Sequence, residues 1–278
     1  MNFTYKDILK YFNEFCLLYK NKPVANNKYG IRFPHAFAIY YFLKKIKPKF
    51  IVESGIYKGQ STWLIEKTLP RTKLLSIDIK LDTREYISSR VNTKYSNLDF
   101  SNQDFSEIPR DSLVFFDDHQ DFYQRLQQAY FFGFKHIIFE DNYPPGKGDF
   151  YTFNHALNGS GSSGKYLSYK NIFFAIYKIA TYLIKKEKNP NYYDHKDLYN
   201  WGLNNVKKND VDKANLKKIL KSYYTFPPVF KKNKTRWGDS WGLYKTKKPL
   251  FNRSLKKKYP KIYEEADSYN WITYIKLK

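Results

Sequence analysis

The chain has 278 residues, 42% hydrophobic and 27% charged, which is enough for one large α/β domain and excludes wholesale disorder. A single cysteine, Cys16, excludes an internal disulfide and a cysteine-based zinc site. Lysine and arginine outnumber aspartate and glutamate by 49 to 26, and residues 151–278 alone have 27 basic and 9 acidic side chains. Such a basic half favours acidic partners, although the abundance of Lys, Asn, Tyr, Phe and Ile is also what an AT-rich genome produces.

Helix and strand patterns alternate through the first 141 residues. An amphipathic pattern predicts a helix over residues 4–20, with Thr4 and Asp7 as a variant of the capping box. A second helix is predicted to begin at Pro34 and to end before Pro48. We then expect five strands, at 49–55, 73–79, near 97–101, at 112–117 and at 136–141, with helices at 61–68 and 121–134.

The rest of the chain is predicted to be mostly helical. GSGSSG at 159–164 is typical of a flexible loop, and helical patterns follow at 178–186 and 210–224. Two late strands, at 239–246 and 270–277, are expected to pair as an antiparallel hairpin at the sheet edge. We therefore predict an α/β fold: a Rossmann-like, mostly parallel seven-stranded sheet with helices on both faces, an antiparallel C-terminal hairpin and a helical insert.

These elements predict a single domain with four parts: N-terminal helices (1–48), a cofactor and metal-binding core (49–149), a helical insert (150–235) and C-terminal edge strands (236–278). The insert leaves the rim of the fifth strand through the rigid loop 143–150, so we expect it to cover the site as a substrate cap. Packing on the back of the sheet, or in a dimer surface, is the alternative.

No apolar stretch of the sequence is long and continuous enough to span a bilayer. The first residues also lack the uninterrupted apolar stretch of a secretory signal peptide. We therefore expect a protein without a membrane span, located in the cytoplasm of its own cell or of a host. Nothing in the sequence indicates an oligomeric state.

The loop after the first predicted strand, ESGIYKGQS at 53–61, is the first candidate for a ligand site, because open α/β sheets bind ligands where their strands end. It matches neither the dinucleotide pattern G-x-G-x-x-G nor the P-loop. Gly55 and Gly59 let the backbone approach a ligand, while Glu53 disfavours a phosphate and suits an amino group or sulfonium. Asp78 ends the next strand, where an acid suits two ribose hydroxyls. Together these residues indicate S-adenosylmethionine.

The same loop resembles that of class I S-adenosylmethionine-dependent methyltransferases, most closely the catechol and caffeoyl-CoA O-methyltransferase type. The pattern E-x-G-x-Y-x-G-x-S is matched by Glu53, Gly55, Tyr57, Gly59 and Ser61. Asp78 stands where that type has its ribose-binding acid, and Asp104 where such enzymes often hold the adenine amino group. The resemblance covers roughly residues 30–145 and implies S-adenosylmethionine as the cofactor.

A second group of polar residues follows the fourth and fifth predicted strands, in FFDDHQDFY (115–123) and FEDNY (139–143). Neighbouring parallel strands end at one rim, which brings Asp117, Asp141 and Asn142 together, and three oxygen ligands suit Mg²⁺. The arrangement is similar to that of metal-dependent O-methyltransferases, with D-x-x-x-D-x-Y after strand four and D-N after strand five. That resemblance implies these three residues as ligands of Mg²⁺ or Mn²⁺, and Glu140 as a variant ligand. Strand-end acids without a metal are the alternative.

The general base differs from that of the catechol type, which has a lysine three residues after its first metal-binding aspartate. Gln120 occupies this position and cannot act as a base. A hydroxyl beside a metal is already acidified, so a weak base suffices. His119 and Asp118 are the candidates, and His119 has the better pKa near neutrality. A residue from elsewhere, such as His155, is the alternative.

The favoured function is a metal-assisted O-methyltransferase that methylates a hydroxyl of a sugar, a glycan or another small diol. An aromatic content of 20% offers stacking faces for a sugar. The main alternative is a metal-independent RNA ribose 2′-O-methyltransferase, which the basic second half favours. Its usual lysines and glutamate are not clearly placed, so nucleic acid is the less favoured partner. A non-catalytic binding module with this fold is the third hypothesis.

Overall fold

The computed structural model describes residues 3–109, 111–145, 147–148, 150–160, 184, 187–188, 210–236, 238, 247–251 and 256–278. Its helices are α1 (Tyr5–Lys10), α2 (Phe12–Tyr19), α3 (Phe33–Ile46), α4 (Gln60–Thr68), α5 (Phe122–Phe131), α6 (Phe153–Leu157), α7 (Asp210–Ile219) and α8 (Pro260–Glu264). Its strands are β1 (Phe50–Ser54), β2 (Lys73–Ile77), β3 (Thr93–Ser96), β4 (Leu113–Phe116), β5 (His136–Phe139), β6 (Leu220–Thr225) and β7 (Thr273–Leu277). None of these helices is long and apolar enough to cross a membrane.

The seven strands form one sheet in the order β3-β2-β1-β4-β5-β7-β6. Strands β1 to β5 are parallel to their neighbours, whereas β7 runs antiparallel to both β5 and β6. The order reverses at β1, which pairs with β2 on one side and β4 on the other. The predicted fold class, a Rossmann-like and mostly parallel seven-stranded sheet with an antiparallel C-terminal pair, is confirmed.

The antiparallel pair uses a different segment from the predicted one. The helix expected over 210–224 ends at Ile219, and Leu220–Thr225 forms the edge strand β6 against β7. The segment LKSYYT combines aromatic and β-branched residues, and pairing with β7 outweighs the helical pattern that precedes it. Residues 150–235 are therefore not a purely helical insert. The predicted strand 239–246 lies outside the described residues, as does the helical pattern at 178–186 except for Ile184.

Two further boundaries differ from the sequence prediction. The N-terminal helix is divided at Tyr11 into α1 and α2. Thr4 caps α1 through its side chain, but the Asp7 carboxylate pairs with Tyr41 and Lys45, so only the Thr4 half of the predicted capping box is observed. The third strand is Thr93–Ser96, and the predicted 97–101 is a turn. There the Asp99 side chain accepts a hydrogen bond from Ser101 N at 2.9 Å, which starts a 3₁₀ turn and leaves no extended segment.

Successive strand residues alternate between two apolar layers, as the pleat requires. Phe115 of β4 and Ile138 of β5 join the layer under helices α1 to α4. Phe116 and Phe139, one residue further on, join the layer under α5, α6 and α7. Helix α3 is almost wholly buried, from Phe33 to Leu43. The sheet is thus fixed from both faces, and its carboxyl edge is held in place as a rim.

Candidate active site

The turns that leave β1, β2, β4 and β5 are tied together along the carboxyl edge of the sheet. Gly55 N donates to the carbonyl oxygen of Ile77 at 2.9 Å. Asp117 N donates to the carbonyl oxygen of Ser54 at 2.7 Å, and Glu140 N to that of Phe116 at 2.9 Å. The residues that follow these strands therefore lie side by side on one rim, as the predicted parallel order required.

The glycines of the first turn are required by its packing. Gly55 and Gly59 have φ of 96° and 86°, in the left-handed region. A Cβ at Gly55 would overlap the carbonyl oxygen of Asp117, and one at Gly59 would overlap that of Tyr86. Tyr57 between them also has a positive φ, 49°, and its side chain stands out into solvent. The turn brings the β1 backbone against the rim and starts α4.

Asp78 is fastened to this turn. Its Oδ2 accepts hydrogen bonds from Ile56 N at 2.8 Å and Tyr57 N at 3.0 Å, and its Oδ1 accepts one from Lys80 N at 2.9 Å. One carboxylate thus joins the end of β2 to the glycine turn after β1. This is the position expected for an acid that receives ribose hydroxyls.

Glu53 lies beneath the turn and is fully buried. Its Oε2 accepts hydrogen bonds from Thr62 Oγ1 and Ser76 Oγ, both at 2.6 Å, while Oε1 is buried without a partner among the described residues. Burial raises the pKa of Glu53 to about 7, although the neighbouring hydroxyls of Ser61, Ser76 and Thr62 oppose the shift. Ser61 is also buried. Direct contact of these two residues with a cofactor stays a prediction.

Asp104, the third predicted acid of the cofactor site, is exposed. Its Oδ1 accepts a hydrogen bond from Ser106 N at 2.9 Å, and this bond lowers its pKa. The side chain lies in the loop after β3, two strands away from β1. Its predicted contact with adenine is not tested by this arrangement.

Asp117, His119 and Asp141 form a compact group after β4 and β5. One ligand atom of each lies within 4.8 Å of the others, and His119 Nε2 is 3.6 Å from Asp141 Oδ2. Burial and the neighbouring Glu140 raise the pKa of Asp141 to about 8, and burial together with Glu140 and Asp141 raises that of Asp117. Asp141 Oδ1 is buried without a partner among the described residues. A cation is the ligand that would satisfy this oxygen and relieve the repulsion.

The other two predicted ligands have protein partners. Asn142 Nδ2 donates to Thr273 Oγ1 at 2.6 Å, and its Oδ1 accepts from Asn154 N at 2.9 Å. Glu140 is buried with its Oε1 against His35 Nδ1. A second group of metal-binding types, His35, Glu140 and Asp141, therefore shares one member with the first. Coordination by Asn142 or Glu140 stays a prediction.

The three candidate bases have very different surroundings. Asp118 Oδ2 accepts from Ser54 Oγ at 2.7 Å and pairs with Arg125 Nε at 2.9 Å. The buried His155 caps α6 together with Thr152, and burial lowers its pKa to about 4. His119 is 49% exposed at its side chain. Of the three, His119 therefore has the most exposed side chain.

Residues far away in the sequence complete the buried surroundings of Glu140. Arg236 Nη2 lies 4.0 Å from Glu140 Oε1, and Arg236 Nη1 donates to the carbonyl oxygen of Gly30 at 3.0 Å. Burial, together with the Arg236 charge, lowers the pKa of His35 to about 3, which keeps that ring neutral. Sequence reasoning missed both residues. His35 lies in a helix and Arg236 in a basic run, and neither has a spacing that connects it to the strand ends.

No family model and no curated protein matches the chain. Among solved structures, CmcI with S-adenosylhomocysteine is similar at 20% identity over 40% of this chain and 62% of that chain, with a TM-score of 0.36. CmcI with magnesium and S-adenosylmethionine is similar at 22% identity over 38% and 52% of the two chains, with a TM-score of 0.31. The S-adenosylhomocysteine-bound methyltransferase PaMTH1 of Podospora anserina is similar at 14% identity over 49% and 62%, with a TM-score of 0.35.

The matched part is less than two thirds of each of the three chains. The activity, substrate and partners of this chain are therefore proposals that rest on its own residues.

Proposed function

We propose that the chain is an S-adenosylmethionine-dependent O-methyltransferase that uses a divalent cation and methylates a hydroxyl of a sugar, a glycan or another small diol. The main observation is that two different sites share one rim. Asp78 is bonded to the glycine turn 55–59, and Asp117 and Asp141 stand after the two strands on the other side of β1. A cofactor at the first site would thus lie beside a cation at the second.

The first site fits a nucleoside without phosphates. An acid at the end of β2 is placed to receive ribose hydroxyls, and the left-handed turn at Gly55 and Gly59 packs closely against the carbonyl oxygens of Asp117 and Tyr86. Asp78 already holds the turn in shape through Ile56 N and Tyr57 N. A preorganised turn of this kind binds a ligand without paying for its own ordering.

The second site fits Mg²⁺ or Mn²⁺. Asp117 and Asp141 would hold the cation, because they offer carboxylate oxygens, one of them buried and unpartnered, and raised pKa values that a cation would lower. Asn142 and Glu140 are further predicted ligands. When bound, the cation supplies positive charge that lowers the pKa of an acceptor hydroxyl.

His119 is proposed as the general base. Its Nε2 lies at the rim, 3.6 Å from Asp141 Oδ2, and the ring is accessible. When bound, S-adenosylmethionine would supply the methyl group from its sulfonium, and His119 Nε2 would accept the proton of the acceptor hydroxyl. Asp141 then stabilises the imidazolium that forms.

A labelled-methyl transfer assay with a panel of vicinal diols tests this function. Excess chelator should abolish transfer, Mn²⁺ or Mg²⁺ should restore it, and Asp141→Asn should lower kcat by at least 10²-fold because the cation loses a charged ligand. Asp111→Asn, the same change at the exposed amino end of β4, should leave transfer unchanged. Full transfer by wild-type protein in excess chelator would contradict the proposal. That result would favour the metal-free RNA ribose 2′-O-methyltransferase, which the basic second half of the chain also suggests.

A further inference from the structure

A strongly basic pocket lies next to the rim. It has a volume of about 370 Å³ and is formed by the run Lys231–Arg236 together with Tyr263, Glu264 and Ala266. That volume falls in the range of small-molecule sites. The run contributes three lysines to the lining against the single carboxylate of Glu264, whereas the guanidinium of Arg236 is paired with Glu140 and Asp267. The pocket is therefore suited to an anion.

The walls of this basic pocket are held in place by the backbone. Lys231 N donates to the carbonyl oxygen of Phe251 at 3.2 Å, and Ser268 N donates to that of Lys234 at 3.2 Å. The main-chain N–H of Arg236 donates to the carboxylate of Asp267. The lysine side chains consequently project from a fixed loop, which is what a binding site needs.

The lysines are also crowded together. Lys232 Nζ lies 4.3 Å from the centre of the Tyr263 ring. Lys256 Nζ, from the segment before α8, lies 5.6 Å from the same ring centre. Burial, Lys256 and Arg32 lower the pKa of Lys232, while Asp267 and Glu264 oppose the shift. Mutual repulsion of these cations is what a bound anion would relieve.

Arg236 connects the basic pocket to the proposed catalytic rim. It lines the pocket, and its Nη2 lies 4.0 Å from Oε1 of Glu140, the residue before Asp141. The segment 266–272 beside the pocket leads into β7, which pairs with β5 from Thr273 opposite Phe139. The pocket and the carboxylates therefore flank the same end of β5. A small molecule that binds both would present its anionic group to the lysines and its hydroxyls to Asp117 and Asp141.

We propose that the basic pocket binds the phosphate of the acceptor, which makes the acceptor a phosphate-bearing sugar or similar diol. The diol part of this inference rests on the proposed function, and the phosphate part rests on the pocket alone. The phosphate is either a single ester or the diphosphate of a nucleotide-linked sugar, which have the same charged oxygens. The phosphodiester backbone of RNA is a different occupant, and titration with an oligonucleotide distinguishes it from a sugar phosphate.

Calorimetric titration of the full chain with glucose 1-phosphate, UDP-glucose, glucose and hexauridylate tests the inference. Glucose 1-phosphate or UDP-glucose should bind, the tighter of the two identifying the kind of phosphate, and glucose should not. Lys232→Gln combined with Lys234→Gln should weaken this binding at least tenfold, because charge-assisted contacts to phosphate are lost. Lys73→Gln with Lys94→Gln, a matched double change on exposed positions of β2 and β3, should have no effect.

Two results would overturn the inference. Sugar phosphates that do not bind, or that bind the pocket variant and the control variant equally well, would show that these lysines hold no phosphate ligand. Hexauridylate binding that depends on the same lysines while the sugar phosphates do not bind would assign the pocket to nucleic acid. S-Adenosylhomocysteine is titrated alongside as a separate readout. Failure of that binding counts against the proposed function and leaves the phosphate result standing.

Discussion

At the scale of single residues, unusual backbone conformations are concentrated at the rim. Among the described residues four non-glycines have a positive φ, and three of them, Tyr57, His119 and Asp141, lie at the carboxyl edge of the sheet. A left-handed non-glycine costs of the order of 1–3 kcal/mol and persists where its surroundings determine it. Asp78 bonds to the Tyr57 N–H, and the carbonyl oxygen of Trp271 accepts from Asn142 N, just after Asp141. The strain therefore falls on residues proposed to bind the cofactor, to bind the cation and to act as the general base.

Glu53 gives a prediction about pH. Its folded pKa of about 7 exceeds its ordinary value of 4.5, so the folded chain keeps a proton that the unfolded chain releases. The stabilisation is complete below pH 4.5 and is lost as the pH rises through 7. In urea unfolding, the stability of wild type relative to Glu53→Gln should fall by about 3 kcal/mol between pH 4.5 and pH 8. Glu107→Gln, an exposed control, should follow wild type, and a pH-independent difference for Glu53→Gln would refute the assignment.

At the scale of elements, the basic second half contributes to the sheet as well as to its surroundings. Helix α7 contacts α6 and β6, and β6 forms the outer edge of the sheet against β7. Leu216 of α7 is fully buried in the layer beneath α5, and Tyr151 OH donates to Asp212 Oδ2 at 3.0 Å. The described end of the predicted insert is therefore part of the core. The predicted substrate cap stays a prediction.

Helix α7 can be tested by paired substitutions on its two faces. Leu216→Ala removes a fully buried side chain and should lower the free energy of unfolding by about 2–5 kcal/mol. Val211→Ala, on the same helix and 69% exposed, should change it by no more than about 0.5 kcal/mol. Thermal or urea unfolding measures both. Equal, small effects would mean that α7 does not pack on the sheet as described.

Sequence patterns predicted an element well where its apolar pattern and its burial both indicate the same type of secondary structure. β1, β2, β4 and β5 are short apolar runs between turn residues, and each was placed to within one or two residues. β6 was missed because its six residues continue a helical pattern, and its strand geometry depends on β7, about fifty residues away. The conformational preferences of neighbouring residues cannot predict a pairing between segments so far apart in the sequence.

The residues of the candidate site likewise include some that the sequence predicted and some that it did not. Gly55, Gly59 and Asp78 follow strand ends in a recognisable order, and the structure brings all three together on the rim. The partners of Glu140 were not predictable, because His35 and Arg236 arrive from a helix and a loop that only the folded chain brings together. The sequence favoured His119 over Asp118 on pKa alone. It did not show that Asp118 pairs with Arg125, because that pairing depends on the packing of α5.

At the scale of the whole molecule, opposite charges are divided between neighbouring sites. The net charge is +23, yet Asp117, Glu140 and Asp141 gather at the end of β4 and β5. The basic pocket of Lys231–Arg236 lies beside them. In the proposed arrangement, this separation would let one small ligand meet a cation through its hydroxyls and the lysines through its phosphate.

Binding of S-adenosylhomocysteine to the purified full chain, measured by calorimetry, tests the central claim most directly. The site at Asp78 and the glycine turn predicts one binding site per chain, no binding of NAD⁺ or ATP, and at least tenfold weaker binding by Asp78→Ala. The loss has the size of one charge-assisted hydrogen bond, about 1.5–3 kcal/mol, with the turn's anchor removed as well. Asp82→Ala, an exposed acid four residues further on, should bind as wild type does. Absence of binding by wild type, or equal affinity of Asp78→Ala and wild type, would contradict the account.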